Sequence, residues 1–454
     1  MNPAARHSMA QARRHPGISY DEVPSGLAAI EPGDSPYRDV RSTYMRGGSP
    51  GVVLQPSAVD QVRDALAFAR RHPTALLALR SRGHGFSGRS TNDGGIVIDL
   101  RRLNSIEVID AERRLVRIGP GASWMDVANA LDPHGWALSS GDYGGVGVGG
   151  LATAGGIGWL AREHGLTIDH IVAVELVLAD GDVARVDADH DPELFWAMRG
   201  AGSAVGIATA FEAVADPIGD VAFAQLAFDA TDVAGFFRRF GETVEAAPRI
   251  LTANLMIGRR RGGTPQVAHV MALVDSDDRD EVLSVLQPLA AIAPLLGQDV
   301  RLQRYKDAMT ASTEPHHGQG EPVSRSILIK HFTPELSRGI GHLLQSGAVG
   351  ALSVRSVGGA VADVSADTTA YAGRNANFAV VALGSHDPTL DAAWAPVERH
   401  AVGAYFSFES QLNARRLRLA FPPATLERLR AVKRRVDPDN VFRDNIDLGK
   451  LDED

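Results

Sequence analysis

Two stretches of this chain hold residue types at spacings that can do chemistry. The first is Arg80-Ser81-Arg82-Gly83-His84-Gly85-Phe86-Ser87-Gly88. A turn with glycines this close together exposes successive backbone N–H groups, a concavity that binds phosphate oxygens. Arg80 or Arg82 would add a charge-assisted bond. Taken alone, the loop also reads as a tight surface turn. Its glycine spacing is not the dinucleotide fingerprint G-x-G-x-x-G, which needs a helix directly after it. The second stretch runs from Ser140 to Trp159, and nine of the eighteen residues from Gly141 to Gly158 are glycine. Each glycine costs about 1 kcal/mol of backbone entropy relative to alanine. Such density belongs where the backbone must approach something flat or anionic. The alternative, a flexible linker, would be polar, whereas Val146, Val148, Leu151, Ile157 and Trp159 are interleaved here.

Around these stretches the patterning supplies elements to hold them. Val52–Leu54 reads as a strand. Ser57 reads as the N-cap of a helix carrying Val62, Leu66 and Ala69, and Ala75–Arg80 as a second strand that runs straight into the first glycine loop. Ile96–Leu100 is a further strand, and Ile106–Ile109 with Leu115–Ile118 a hairpin. Ser123 caps a helix through Leu131, and Ile171–Ala179 with Val183–Val186 flank the turn Asp180-Gly181. From about Phe223 glycine thins out. Strand and helix patterns then alternate: Val267–Val274, Arg279–Ala293, Ser326–Lys330, Pro334–Ser346, Gly350–Val357 and Phe378–Leu383. This predicts an antiparallel sheet with covering helices. Pro423–Arg435 is a basic amphipathic helix, and the fold class expected is α+β in two domains.

Composition bounds the function. The 454 residues exceed a typical single domain, and a net charge of −9 argues against a nucleic-acid partner. There is no run long and apolar enough to span a membrane. The N-terminus shows neither a signal-peptide core nor a twin-arginine pattern, so a cytoplasmic location is expected, with the first ~35 residues loosely ordered. Zero cysteines exclude disulfides, thiolate metal sites and cysteinyl–flavin bonds. His164, His316, His317 and His331 lack ligand spacing and read as structural, so no metal is expected.

Jointly the motifs resemble the FAD-linked oxidases of the vanillyl-alcohol-oxidase superfamily, and more narrowly the berberine-bridge-enzyme-like group. RSRGH is similar to the family loop R-S-G-G-H, with Arg82 in place of its first glycine. GDYGGVGVGGLATAGGIG is similar to the second family segment, ELFWAMRGAGSAVGIATAF to the third, and DPDNVFRDNIDL to the C-terminal one. The resemblance implies a PCMH-type FAD-binding fold in which residues 38–216 and 405–454 hold the flavin. Residues 217–404 would form an antiparallel-sheet substrate domain, and 1–37 an N-terminal extension. It implies FAD attached through His84, and only once, because Tyr143 stands where doubly linked members have cysteine. The cofactor contacts it implies are Arg80, Ser81, Arg82, Gly83, His84, Gly85, Phe86, Ser87, Gly141, Asp142, Tyr143, Val146, Gly147, Gly149, Gly150, Thr153, Gly156, Gly158, Trp159, Ile207 and Asn445.

For the substrate, Ser353, Arg355 and Val357 alternate on one strand face, and Arg355 either clamps an anion or is solvated. Where many members carry a tyrosine base, this chain has Phe408. A relocated base would be Tyr143, Asp142, Tyr405 or Glu409, with Tyr143 ranked first, and a base-free amine oxidation is the alternative. The resemblance implies an oxidase of a small organic molecule with dioxygen as acceptor. Alternatives are a sugar oxidase or a flavin module without turnover. A nicotinamide-binding Rossmann enzyme lacks the βαβ unit it needs.

Overall fold

A computed structural model describes residues 13–260, 265–310, 317–411 and 413–448. The chain builds three main sheets. The first contains β1 (Ala28–Ile30), β2 (Val52–Gln55), β3 (Leu77–Arg80) and β4 (Ile96–Asp99), in the order β1-β2-β4-β3. β4 runs parallel to both β2 and β3, so the helix Val59–Arg70 makes the crossover between β2 and β3. Val62, Leu66 and Phe68 of that helix close a core with Val52, Leu54, Ile96 and Ile98. Its cap is Ala58, with no side-chain bond. The expected cap, Ser57, instead bonds the Gln61 side chain, one residue out of register. Loose order over the first ~35 residues does not hold for residues 18–30. Ile18, Tyr20 and Leu27 are buried in this same core, and β1 pairs with β2.

The second sheet holds β5 (Ile106–Asp110), β6 (Leu115–Ile118), β8 (Ile171–Val177), β9 (Val183–Asp187) and β10 (Ile207–Val214), antiparallel in the order β5-β6-β10-β8-β9. A short pair, β7 (Trp136–Ala137) with β11 (Asp216–Pro217), lies beside it. Both predicted hairpins form. The helix Trp124–Leu131 carries a capping box between Ser123 and Asp126. The interleaved apolar residues of the second glycine segment, Val148, Ile157 and Trp159 among them, are core residues here.

The third sheet has seven antiparallel strands: β12 (Asp220–Asp229), β13 (Leu251–Gly258), β14 (Val267–Val274), β15 (Leu295–Arg304), β16 (Val323–Ile329), β17 (Val349–Ser356) and β18 (Phe378–Gly384). Their order is β15-β12-β14-β13-β17-β18-β16. The two-residue period of a strand divides its side chains between the two faces. Leu352 and Val354 pack under the helices Val233–Ala246, Arg279–Ala290, Pro334–Gln345 and Asp387–Glu398. Ser353 and Arg355 take the opposite face, and from it Arg355 reaches Asp142 of the second glycine segment. The chain is thus α+β, as expected. The C-terminal helix Pro423–Val436 returns to the core that contains the glycine segment.

Candidate flavin site

A cleft of about 1040 Å³ is walled by the first glycine loop, the second glycine segment, residues 405–408 and Asn445. Beside it lies a cavity of about 400 Å³, and the two share Leu79, Ser81, Gly150, Thr153, Ser203 and Asn445. The strand pairing sets the loop. β3 and β4 align Arg80 with Asp99, and their side chains form a fully buried ion pair at 2.9 Å. Burial lowers the Arg80 pKa, with Asp99 opposing the shift. Gly83 and Gly88 have φ of 75° and 71°, which only a residue without Cβ adopts easily, and so the chain turns back across the strand end.

The two glycine segments touch at Gly147, where a Cβ would stand 2.1 Å from Ser81 Oγ and 2.8 Å from Arg82 N. Ser81 donates to Pro120 O, which fixes the loop against the segment before the Trp124 helix. His84 lies on the cleft wall, half-buried. Its ring is 5.3 Å from that of Tyr143 and 5.8 Å from that of Tyr44. Phe86 packs 5.2 Å from Phe408, which packs 4.9 Å from Tyr405, so aromatic rings line that end of the cleft.

Most residues expected at the cofactor come together. Ser81, Arg82, Gly83, His84, Gly85, Phe86, Ser87, Gly141, Asp142, Val146, Gly147, Gly150, Thr153 and Asn445 line the cleft, as does Tyr405, a candidate base. Arg80, Gly149 and Ile207 line the adjoining cavity. Gly156, Gly158, Trp159, Tyr143 and Arg355 line neither. Gly156 donates its N–H to Tyr405 Oη at 3.1 Å. A Cβ on Gly158 would meet Ser140 O at 1.8 Å, and Trp159 is buried edge-on to Phe223.

The candidate bases fare differently. Asp142 accepts from Arg355 Nε at 2.7 Å and Asn254 Nδ2 at 3.1 Å, so the charge of Arg355 is met inside the protein. That guanidinium also lies 4.5 Å over the Phe408 ring. Burial pushes the Tyr405 hydroxyl pKa up. Glu409 is buried away from the cleft, 3.5 Å from Arg325 and 3.6 Å from Arg416, and burial raises its pKa too.

Sequence reasoning missed Arg89. It lines the cleft and donates to the carbonyls of Glu409 and Phe406 at 2.8 and 3.0 Å, tying the glycine loop to the C-terminal segment. Burial lowers its pKa to about 10. Its place one residue past Gly88 was the available signal. Ser203 was missed as well. His164 sits among Glu163, Asp275 and Asp216, and His331 contacts Glu245. His316 lies outside the described residues.

A glycine-lined cleft at the end of a parallel strand pair suits a cofactor that carries phosphates. Residues 50–187 match the family described as FAD binding domain, and residues 420–446 the family described as berberine and berberine like. The two matched segments make this chain similar, over those residues, to berberine-bridge-enzyme-like FAD-linked proteins. It is 45% identical over 136 residues to an (R)-6-hydroxynicotine oxidase of Paenarthrobacter nicotinovorans, a match covering 30% of each chain. It is 26% identical over 413 residues to an uncharacterized FAD-linked oxidoreductase of Bacillus subtilis (strain 168), covering 87% of this chain and 90% of that one. Among solved structures, a BBE-like protein of Physcomitrella patens superposes with a TM-score of 0.80 at 21% identity, covering 94% and 97%. The 6-hydroxy-D-nicotine oxidase of Arthrobacter nicotinovorans gives 0.78 at 23%, covering 93% and 98%.

The site's own chemistry fits FAD. Arg80 Nε and Nη1 and Asn445 Oδ1 are buried without a hydrogen-bond partner in the protein, beside glycines whose backbone lies open to the cavities. Native proteins rarely leave such atoms unpaired. The two Arg80 donors suit a diphosphate, and Asn445 Oδ1, an acceptor, suits a donor group of the cofactor.

Proposed function

We propose that this protein is an oxidase that takes a hydride from a small organic substrate, with dioxygen as acceptor and hydrogen peroxide as product, and holds FAD covalently through His84. The observation that carries this reading is His84 on the wall of the glycine-lined cleft, at the aromatic end formed by Phe86, Tyr405 and Phe408. When bound, FAD supplies the hydride acceptor. The protein's residues bind it and shape the substrate's approach.

Arg80, Ser81, Gly147 and Asn445 hold the diphosphate side, and the aromatic rings exclude water from the reacting end. Residues 38–216 and 405–454 form the flavin-holding part, and 217–404 the substrate side, which contributes Arg355. No cleft carboxylate among the described residues is placed as an uncommitted base. Asp142 is paired with Arg355, and the Tyr405 hydroxyl stays protonated because burial raises its pKa. A substrate that reacts as a neutral amine needs no such base, whereas an alcohol must lose its hydroxyl proton. The relative named for 6-hydroxynicotine oxidation supports the amine reading. Oligosaccharides are the rival substrates, on the strength of relatives named for them.

Two measurements test the proposal. Acid precipitation of the purified protein should leave the yellow colour in the pellet, on a peptide containing His84. A panel of cyclic amines, alcohols and oligosaccharides should release peroxide only with the amines. Colour wholly in the supernatant overturns the linkage, and turnover confined to sugars overturns the amine assignment. Cell fractionation checks the cytoplasmic location that belongs to this reading. No helix of the described residues is long and apolar enough to cross a membrane.

A further inference from the structure

The seven-stranded sheet has two edges, and they are finished differently. β16 is buried along its whole length and covered by the segment around Gly403–Ser410. Leu328 donates its N–H to Gly403 O at 2.8 Å, and Ser326 donates to the Glu409 carboxylate at 3.2 Å. β15, at the other edge, is ten residues long, and nine of the ten are exposed. Among the described residues it pairs with β12 on one side only. An edge strand offers a row of N–H and C=O groups to any strand that arrives. Proteins usually blunt such edges with lysine, proline, a covering segment or a short strand. β15 contains neither lysine nor proline, and what it carries of this kind is a β-bulge between Leu295 and Gly297 and the charges of Asp299, Arg301 and Arg304.

Its side chains add a second signal. Val300 and Leu302 pair with Ala224 and Ala222, so they stand on the helix-covered face of the sheet. No helix of the described residues packs on them. Leu296, Val300 and Leu302 are 55%, 47% and 57% exposed, and with Leu295 they make four of the twelve large exposed hydrophobics among the described residues. On the opposite face Asp299 and Arg301, two residues apart and exposed, form an ion pair with each other at 2.8 Å that is open to a second partner.

We infer that β15 is the contact surface of a homodimer, in which two copies of this strand pair antiparallel across a two-fold axis to join the two sheets. Among axes through residues 299 to 301, charge favours one register. In a two-fold antiparallel pair, outward-facing residues must meet outward-facing residues, so the numbers of opposed residues sum to an even value. Centring the axis on residue 299 opposes Asp299 to its own copy, and centring it on residue 301 opposes Arg301 to its own copy. Both place like charges directly across the ladder, which destabilises it. Centring on Val300 opposes Asp299 to Arg301 twice and Val300 to Val300, burying the apolar residue on the axis.

The chain has no cysteine, so a single introduced thiol reads the register directly. In the holoprotein, Val300→Cys should form an intermolecular disulfide under mild oxidation, because opposed Cα atoms in an antiparallel pair lie about 4.5–5.5 Å apart, within disulfide reach. Gln298→Cys should not, since its own copy lies four residues away along the strand, roughly 13 Å. Sedimentation equilibrium of the unmodified holoprotein should give twice the chain mass. Asp299→Arg should give a monomer with its flavin spectrum intact, and adding Arg301→Asp should restore the dimer. A monomer at every concentration, or cross-linking of Gln298→Cys as fast as that of Val300→Cys, overturns the inference.

Discussion

At the residue scale, the Arg355–Asp142 ion pair constrains the site more than any candidate base does. Arg355 is 9% exposed, and its charge is answered by Asp142. Replacing Asp142 with Asn leaves a largely buried guanidinium unpaired. Breaking a buried pair costs about 3–5 kcal/mol, and the partial exposure of Asp142 reduces this to roughly 2–3 kcal/mol. Urea denaturation of Asp142→Asn should show that loss, together with reduced flavin content, since Asp142 lines the cleft. Tyr143 was ranked first among bases in the sequence reading, yet it packs on His84 and does not line the cleft. Tyr143→Phe should therefore change the rate of anaerobic flavin reduction by less than about tenfold. Loss of a positioned base would cost about 10²–10⁴-fold, and a drop of that size in stopped-flow would restore Tyr143 to the chemistry.

At the scale of elements, the glycines of the second segment divide into two kinds. Gly158 has Ser140 O where a Cβ would go, so it serves backbone packing. Gly150 has nothing within 4 Å of its Cβ position and faces both cavities, so its smallness serves what fills them. Gly158→Ala should lower the melting temperature of apoprotein and holoprotein alike. Gly150→Ala should leave the apoprotein unchanged and lower the fraction of protein that incorporates FAD. Equal losses in both states for Gly150→Ala would end the distinction. Sequence alone could not separate these two positions, because both are glycines in one run and the difference lies in which distant backbone comes near.

The same limit governs the rest of the site. Both glycine segments, the strand entering the first and the apolar residues threading the second were legible, because period and turn chemistry are local. That Arg355 meets Asp142, that Glu409 points away from the cleft, and that Arg89 ties residues 405–408 to the loop depend on contacts between residues more than 80 positions apart. Period-two reading placed Ser353 and Arg355 on one face correctly. It could not say that the face would already hold a carboxylate.

At the scale of the whole molecule, the second and third sheets meet through a set of ionisable groups that no local pattern announced. Glu163 and His164 follow the second glycine segment, Asp275 follows β14, and Asp216 lies between β10 and β12. His164 Nε2 is 3.3 Å from Asp275 and 4.0 Å from Glu163, His164 Nδ1 is 3.6 Å from Asp216, and His170 Nδ1 is 3.3 Å from Asp216. Burial, reinforced by Asp275, raises the Glu163 pKa to about 7, and the surrounding carboxylates raise that of His164 despite its burial. Both groups therefore bind protons more tightly in the folded protein than in the unfolded chain. Their stabilisation is complete below the unfolded carboxyl value of 4.5 and is lost as pH rises through about 7. The cluster's contribution should fall by on the order of 1–2 kcal/mol across that window. Glu163→Gln removes the titrating carboxyl while keeping its shape. Its melting temperature should decline less between pH 5 and pH 8 than that of the unmodified protein. Parallel pH profiles for the two would show that the junction is held by packing alone.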